Sequence, residues 1–240
     1  MRLQRVYIDQ VLVVGTEASL PKETAHYLRQ VLRLRDGDSV VLFNGLGGEY
    51  RGILRLNKNQ MTVIVDEYIE RSVESVLNIH LGQGISRGEK MDFVVQKAVE
   101  LGVREITPLM TERCGVKLQE DRAQKRLDHW QKIIISACEQ SGRNELPRIN
   151  APMESTQWIA QRGEPCRLIC HPGLPIHKDT TASHTAVALL IGPEGGFSEE
   201  EVQRAMRQKF ESLPLGPRIL RTETAAVAAL TKLQVTWGDI

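Results

Sequence analysis

Between Ala186 and Leu230 the chain gives little choice about its architecture. Ala186–Ile191 (AVALLI) is apolar throughout, the mark of a strand buried on both faces. It stops at Gly192-Pro193-Glu194-Gly195-Gly196, and Ser198 with Glu201 then forms a capping box. A helix should run from Ser198 to about Gln208. A shorter apolar run, Phe210–Leu213, leads into a second loop, Leu215-Gly216-Pro217-Arg218-Ile219-Leu220-Arg221-Thr222. A final helix from about Glu223 to Val235 follows, with Thr222 as its expected N-cap. Alanines at 225, 226, 228 and 229 allow it to pack closely. Two strand–loop–helix passages in succession suggest that both loops line one ligand site, with Arg221, Thr222 and Glu223 beside the chemistry.

Upstream the same alternation continues. Leu77–Leu81 reads as a strand, Gly82–Gly88 as a loop, and Glu89–Leu101 as a helix with Met91, Val94, Val95, Ala98 and Leu101 on one face. Glu105–Met110 is a strand, Asp121–Ser141 a longer helix, Ser155–Gln161 a short helix and Arg167–Cys170 a strand. Strand and helix in alternation predict an α/β fold with a parallel sheet covered by helices. In such sheets ligands sit beyond the carboxyl ends of the strands. That is where the glycine loops fall, together with Arg87 and Arg143, which have glycine neighbours and could hold substrate.

Residues 1–72 read differently. Arg5–Ile8, Ser39–Phe43, Glu49–Leu56 and Met61–Tyr68 are short β runs joined by Gly- and Asn-rich turns, with one helical stretch at Thr24–Leu34. They predict a small barrel or sandwich, so the domain boundary is set near residue 72, giving domains 1–72 and 73–240. The first carries many arginines, among them Arg2, Arg5, Arg29 and Arg33, suited to bidentate phosphate contact. Any one of them alone reads as ordinary solvated surface; a shared Arg-rich face is the hypothesis for the group.

Several classes of function drop out. The first glycine loop has neither the Lys-Ser/Thr ending of a phosphate loop nor the G-x-G-x-x-G spacing of a dinucleotide fold. Cys170 beside His171 lacks partners at zinc spacing, so no metal is expected. The four cysteines form no Cys-x-x-Cys pair, no apolar run is long enough for a membrane helix, and the N-terminus has no secretory h-region. A cytoplasmic protein with reduced thiols is the expectation. The net charge of +1 gives no global basic field, so any nucleic-acid surface must be local.

The two loops together, GPEGGFS and LGPRILRTETA, resemble the RsmE family of SPOUT-class RNA methyltransferases. The stretches GISRGEKMDFVVQKAVELGV and CEQSGRNELP and the strand-rich start extend the likeness over nearly the whole chain. The resemblance implies S-adenosylmethionine as methyl donor and N3 of a uridine in 16S ribosomal RNA of the small subunit as acceptor. It also implies a trefoil knot in the C-terminal domain, a PUA-like RNA-binding β-barrel before it, and a homodimer. On that reading Arg221, Glu223 and Glu194 are the catalytic candidates. The cofactor would lie against His171, Pro172, Gly192, Pro193, Gly195, Gly196, Leu215, Gly216, Ile219, Leu220 and Thr222. RNA would meet Arg2, Arg5, Arg29, Arg33, Arg87 and Arg143. The same enzyme class acting on another RNA such as tRNA, and a non-catalytic RNA-binding or assembly protein, are the alternatives.

Overall fold

The computed structural model describes residues 3–57, 60–115, 120–171 and 183–240. Arg2 and Pro172 lie outside these. The chain divides into two compact units, one of residues 1–74 with 138–146, the other of residues 75–137 with 147–240.

The first unit is built on a five-stranded sheet. Its strands are β1 (Gln4–Tyr7), β2 (Glu17–Ser19), β3 (Ser39–Phe43), β4 (Glu49–Asn57) and β5 (Gln60–Ile69), in the order β1-β3-β4-β5-β2. Only β1 and β3 run parallel. Val6, Val40, Leu42, Leu54, Val63 and Val65 form its core. The expected helix at Thr24–Leu34 is instead α1 (Lys22–His26) followed by a π-turn at Tyr27–Val31. β2 escaped the sequence reading because three residues carry too little alternation to register.

The segment 138–146 belongs to this unit for an electrostatic reason. Arg143 is 3% exposed and donates through Nε (2.9 Å) and Nη2 (2.6 Å) to Glu74. Arg5 pairs with Glu49 and donates to the Arg143 carbonyl at 3.1 Å and to Asn144 Oδ1. Arg71 adds a bond to the Gly142 carbonyl at 3.1 Å. Two of the arginines expected to meet RNA, Arg5 and Arg143, are therefore internal struts. Unpairing a buried charge would be far costlier than any phosphate contact could offset.

In the second unit β6 (Asn78–Gly84), β7 (Glu105–Met110), β8 (Arg148–Ile149), β9 (Met153–Glu154), β10 (Cys166–Ile169), β11 (Ala186–Ile191) and β12 (Glu211–Ser212) form one sheet. The order is β12-β10-β11-β6-β7-β8, with β9 also on β7, and every pairing is parallel. The helices are α2 (Glu89–Glu100), α3 (Glu120–Ser141, whose residues from Cys138 on belong to the first unit), α4 (Ser155–Ala160), α5 (Glu199–Arg207) and α6 (Thr222–Trp237). Helix α2 packs on α6 and α4 on α5. Ala188 and Leu190 of β11 meet Trp158 of α4 and Val202 and Ala205 of α5 in one cluster. Val187 and Leu189, on the other face, are equally buried. The expected α/β fold with a covered parallel sheet is what the chain adopts.

Strand β6 runs three residues past its expected end because its glycines are close-approach positions. A Cβ at Gly82 would stand 2.7 Å from the Trp158 ring, and one at Gly84 would strike Pro193. His80, near the start of the same strand, accepts the Trp158 indole N–H at 3.1 Å and lies 2.8 Å from Thr107 Oγ1. It is a satisfied interior group at the end of the sheet away from the glycine loops.

The capping box is present, and it does more than cap. Glu201, 3% exposed, accepts the Ser198 N–H (2.9 Å), the Ser155 hydroxyl (2.5 Å) and the Glu112 N–H (3.2 Å). One buried carboxylate thus ties the start of α5, the start of α4 and the turn after β7. Glu201→Ala strands two buried donors and one partly buried one, and we expect a loss of about 2–4 kcal/mol. Thermal unfolding should show a fall in Tm on the order of 5–10 °C, against about 1 kcal/mol for Ser198→Ala. Equal small losses for both would show that Glu201 acts only as a cap.

Candidate active site

The carboxyl ends of β10 and β11 open onto a cavity of about 760 Å³. Two loops wall it, residues 192–197 after β11 and residues 215–221 before α6. Ten of the residues expected at the site line it: His171, Gly192, Pro193, Glu194, Gly195, Gly196, Ile219, Leu220, Arg221 and Thr222. Leu215, Gly216 and Glu223 are not among its lining residues. Ile219 is 96% exposed, a large apolar side chain held in the open at the rim.

The loops close tightly. A Cβ at Gly195 would sit 2.8 Å from the Arg113 carbonyl oxygen, and one at Gly192 would be 3.2 Å from the Phe197 ring. Gly196 has φ +67, a conformation that side chains resist. These glycines let backbone, not side chains, form the wall.

Thr222 is not the N-cap it was expected to be. Arg221 occupies that position with extended backbone, and Thr222 is the first helical residue. Its hydroxyl donates to the Gly192 carbonyl at 2.6 Å and accepts from Gln83 Nε2 at 3.0 Å. Gln83, fully buried at the end of β6, also donates to the Gly84 carbonyl at 3.0 Å. The end of β6, the first glycine loop and the start of α6 are thereby stitched together beneath the cavity.

Glu194 holds the outer side of the first loop. Its Oε1 accepts from Lys90 Nζ at 3.0 Å and from the Arg87 N–H at 3.2 Å. Partial burial alone would raise its pKa. A backbone N–H of its own loop, the Lys90 ammonium and the Arg87 N–H outweigh that and hold it below the ordinary 4.5. A carboxylate so satisfied is a weak proton acceptor and a good latch. Arg87 takes part through its backbone, while its guanidinium lies over Gly115. Glu223, in the first turn of α6, keeps Oε2 buried with no hydrogen-bond partner among the described residues.

His171 also keeps a buried nitrogen, Nδ1, without a partner among the described residues. Beside it the Cys170 thiol is pushed up to about 12 by burial, so it stays protonated. Residues that the sequence reading passed over also line the cavity. Arg113, Lys90, Ile191, Phe197 and Ala225 are among them, and Cys170, set aside in sequence as a metal ligand, lines it too. Only Arg113 had a signal, indirect at best: a glycine at 195 that has to meet something closely. Of the arginines expected to meet RNA, Arg29, Arg33 and Arg87 are exposed.

Comparison with known proteins gives this geometry a family. Residues 73–234 match the RNA methyltransferase domain model and residues 20–66 the RNA methyltransferase PUA domain model. Ribosomal RNA small subunit methyltransferase E of Buchnera aphidicola (subsp. Schizaphis graminum) is 39% identical, covering 100% of this chain and 98% of its own length. The chain belongs to the ribosomal RNA small subunit methyltransferase E family. The Bacillus subtilis member is 30% identical over 96% of both chains. The crystal structure of the Neisseria gonorrhoeae member bound to S-adenosyl methionine superimposes with TM-score 0.93, 40% identity and 99% coverage of both chains. A Legionella pneumophila structure described as a methyltransferase in complex with bound SAM gives TM-score 0.96, 42% identity and complete coverage of both chains. Family membership thus agrees with the fold and with a cavity bounded by glycine loops.

The Glu194 latch has a defined pH signature. Its folded pKa is depressed, so it stabilises the loop fully above 4.5 and ceases to do so as pH falls through the lowered value. Lys90→Met should therefore be less stable than wild type at pH 7, with the gap closing in acid. Parallel thermal melts from pH 7 down to pH about 3 read this, and a gap independent of pH would mean that the pair does not hold the loop.

Proposed function

We propose that this chain methylates N3 of a uridine in the 16S RNA of the small ribosomal subunit, using S-adenosylmethionine. Family membership is the observation that carries the activity, and the cavity fits the cofactor. Its walls offer backbone at Gly192, Gly195 and Gly196, apolar surface at Ile191, Phe197 and Leu220, and the unpartnered His171 Nδ1. The lysine that lines them, Lys90, is committed to Glu194 at 3.0 Å. Bound there, the cofactor supplies an electrophilic methyl group on a sulfonium.

The chain's own residues have two tasks. Uridine N3 is protonated and nucleophilic only once that proton leaves, and it is normally engaged in pairing, so the base must be unpaired or flipped into the site. Arg221, exposed at the cavity wall, is suited to orient the uracil and to stabilise negative charge on its carbonyls as N3 loses its proton. Of the two carboxylates, Glu194 is occupied as a latch, whereas Glu223 retains an open acceptor two residues beyond Arg221. We assign Glu223 the role of proton acceptor or of partner to Arg221, and Glu194 that of organiser. In the first unit, exposed Arg29, Arg33, Arg35, Arg51 and Arg55 supply RNA affinity. A cytoplasmic homodimer with a knotted second domain completes the reading.

Calorimetric titration with S-adenosylmethionine, followed by mass-spectrometric mapping of the methylated base, tests it. Binding and one N3-methyluridine in 16S RNA are expected; activity confined to tRNA, or no binding, would reject the substrate or the cofactor. Glu223→Gln should leave the cofactor Kd within about twofold while kcat falls about 10²-fold or more. Full activity in that variant would remove Glu223 from the chemistry.

A further inference from the structure

We propose that Arg113 is a phosphate-binding residue at the cavity mouth, gripping the backbone of the RNA strand whose base enters the site. This rests on the RNA methyltransferase reading above. The argument begins with charge. Lys90, Arg113 and Arg221 stand in the cavity wall against a single carboxylate, Glu194. Glu194 answers Lys90 at 3.0 Å. Arg113 and Arg221 are exposed, and neither guanidinium has a hydrogen-bond or ion-pair partner among the described residues. S-adenosylmethionine is itself a net cation, with a sulfonium and an ammonium against one carboxylate. Two unanswered guanidiniums exceed what that carboxylate can neutralise, so the surplus positive charge faces a different ligand, an anion outside the cofactor.

Geometry selects Arg113 over an accidental surface cation. Its turn is fixed from four sides. The Glu112 N–H is held by buried Glu201 at 3.2 Å, and the Cys114 N–H by the Thr111 carbonyl at 3.0 Å. Cys114 Sγ lies 3.3 Å from the Ile85 carbonyl, and Gly195 is seated against the Arg113 carbonyl itself, with no room for a side chain. The loop that walls the cavity is thus built in direct contact with the backbone of Arg113. Arg87 places a second guanidinium over Gly115, two residues further on. One guanidinium belongs to this turn and a second is brought to it from the segment before α2; both are planar five-donor groups of the kind that take a phosphodiester in bidentate fashion. Held there, the phosphate would lie beside the loop that lines the methyl-transfer cavity.

The test compares full-length wild type, Arg113→Gln and Arg113→Lys in three measurements. These are S-adenosylmethionine binding by calorimetry, filter binding of a 16S RNA transcript across a salt series, and thermal melting. For Arg113→Gln we expect a cofactor Kd within twofold of wild type, an unchanged Tm and RNA affinity weakened about tenfold. Its log K against log salt slope should be shallower by about 0.7–0.9, the signature of one lost phosphate contact. Arg113→Lys should recover most of the slope and only part of the affinity. Weakened cofactor binding with an unchanged RNA slope would overturn the proposal and make Arg113 a clamp on the cofactor carboxylate. No change in either would overturn it too. Failure of wild type to bind the cofactor or to methylate RNA would instead strike the enzyme assignment, since the salt slope is read without turnover.

Discussion

The cavity between the glycine loops depends on one buried hydroxyl. Thr222 donates to Gly192 and accepts from Gln83, and those contacts join three segments that are far apart in sequence. The direction of the chain is forced. Gln83 also donates to the Gly84 carbonyl, so its amide cannot be reversed without setting oxygen against oxygen. Its Oε1 is left buried with no partner among the described residues. An unsatisfied buried acceptor costs about 1–3 kcal/mol. The fold tolerates that cost where the order of the two glycine loops is gained in return.

Glu201 plays the matching part on the far side of the first loop. Ser198 follows that loop by a single residue, and Glu112 precedes Arg113 by one. By accepting from both backbones, the carboxylate sets the distance between the two walls they carry. The α5 N-terminus adds a favourable dipole for the buried charge. The cavity is therefore preorganised from below by Thr222 and from behind by Glu201. Its outer edge is held by the weaker, half-exposed Lys90–Glu194 pair. That gradient leaves the outer loop edge as the part most easily moved.

The architecture was legible in the sequence because it rests on short-range signals. An apolar run that fits a doubly covered strand, a helical stripe at Met91, Val94, Val95 and Ala98, and a Ser198–Glu201 capping box each act within a few residues. What escaped depends on partners distant along the chain. Gly82 and Gly84 read as a loop, since glycine ordinarily breaks strands; they are strand residues that admit Trp158 and Pro193. Thr222 reads as a cap because threonine usually is one, and a carbonyl thirty residues upstream claimed its hydroxyl instead. The glycine loops that wall the cavity are marked in the sequence itself, whereas the wall that Arg113 supplies has no local mark at all.

The arginines show why residue type alone does not identify a binding surface. Arg143 sits beside a glycine near a helix end, and Arg221 sits in a glycine-bearing loop; in sequence both looked like substrate-holding cations. Arg143 found Glu74 across the fold and left the solvent with it, a pairing that holds 138–146 in the first unit. Burial made the ion pair permanent, because separating it would strand two desolvated charges. Arg221 met no carboxylate and kept its water. An exposed guanidinium has given up little hydration, so it remains free to exchange that water for an anionic or polarisable ligand at small cost. The same criterion divides the first unit, where Arg5 is committed to Glu49 and Asn144 while Arg29 and Arg33 stay in solvent. The available cations are thus those the fold did not desolvate, and in the second unit Arg113 and Arg221 meet that condition on the cavity wall.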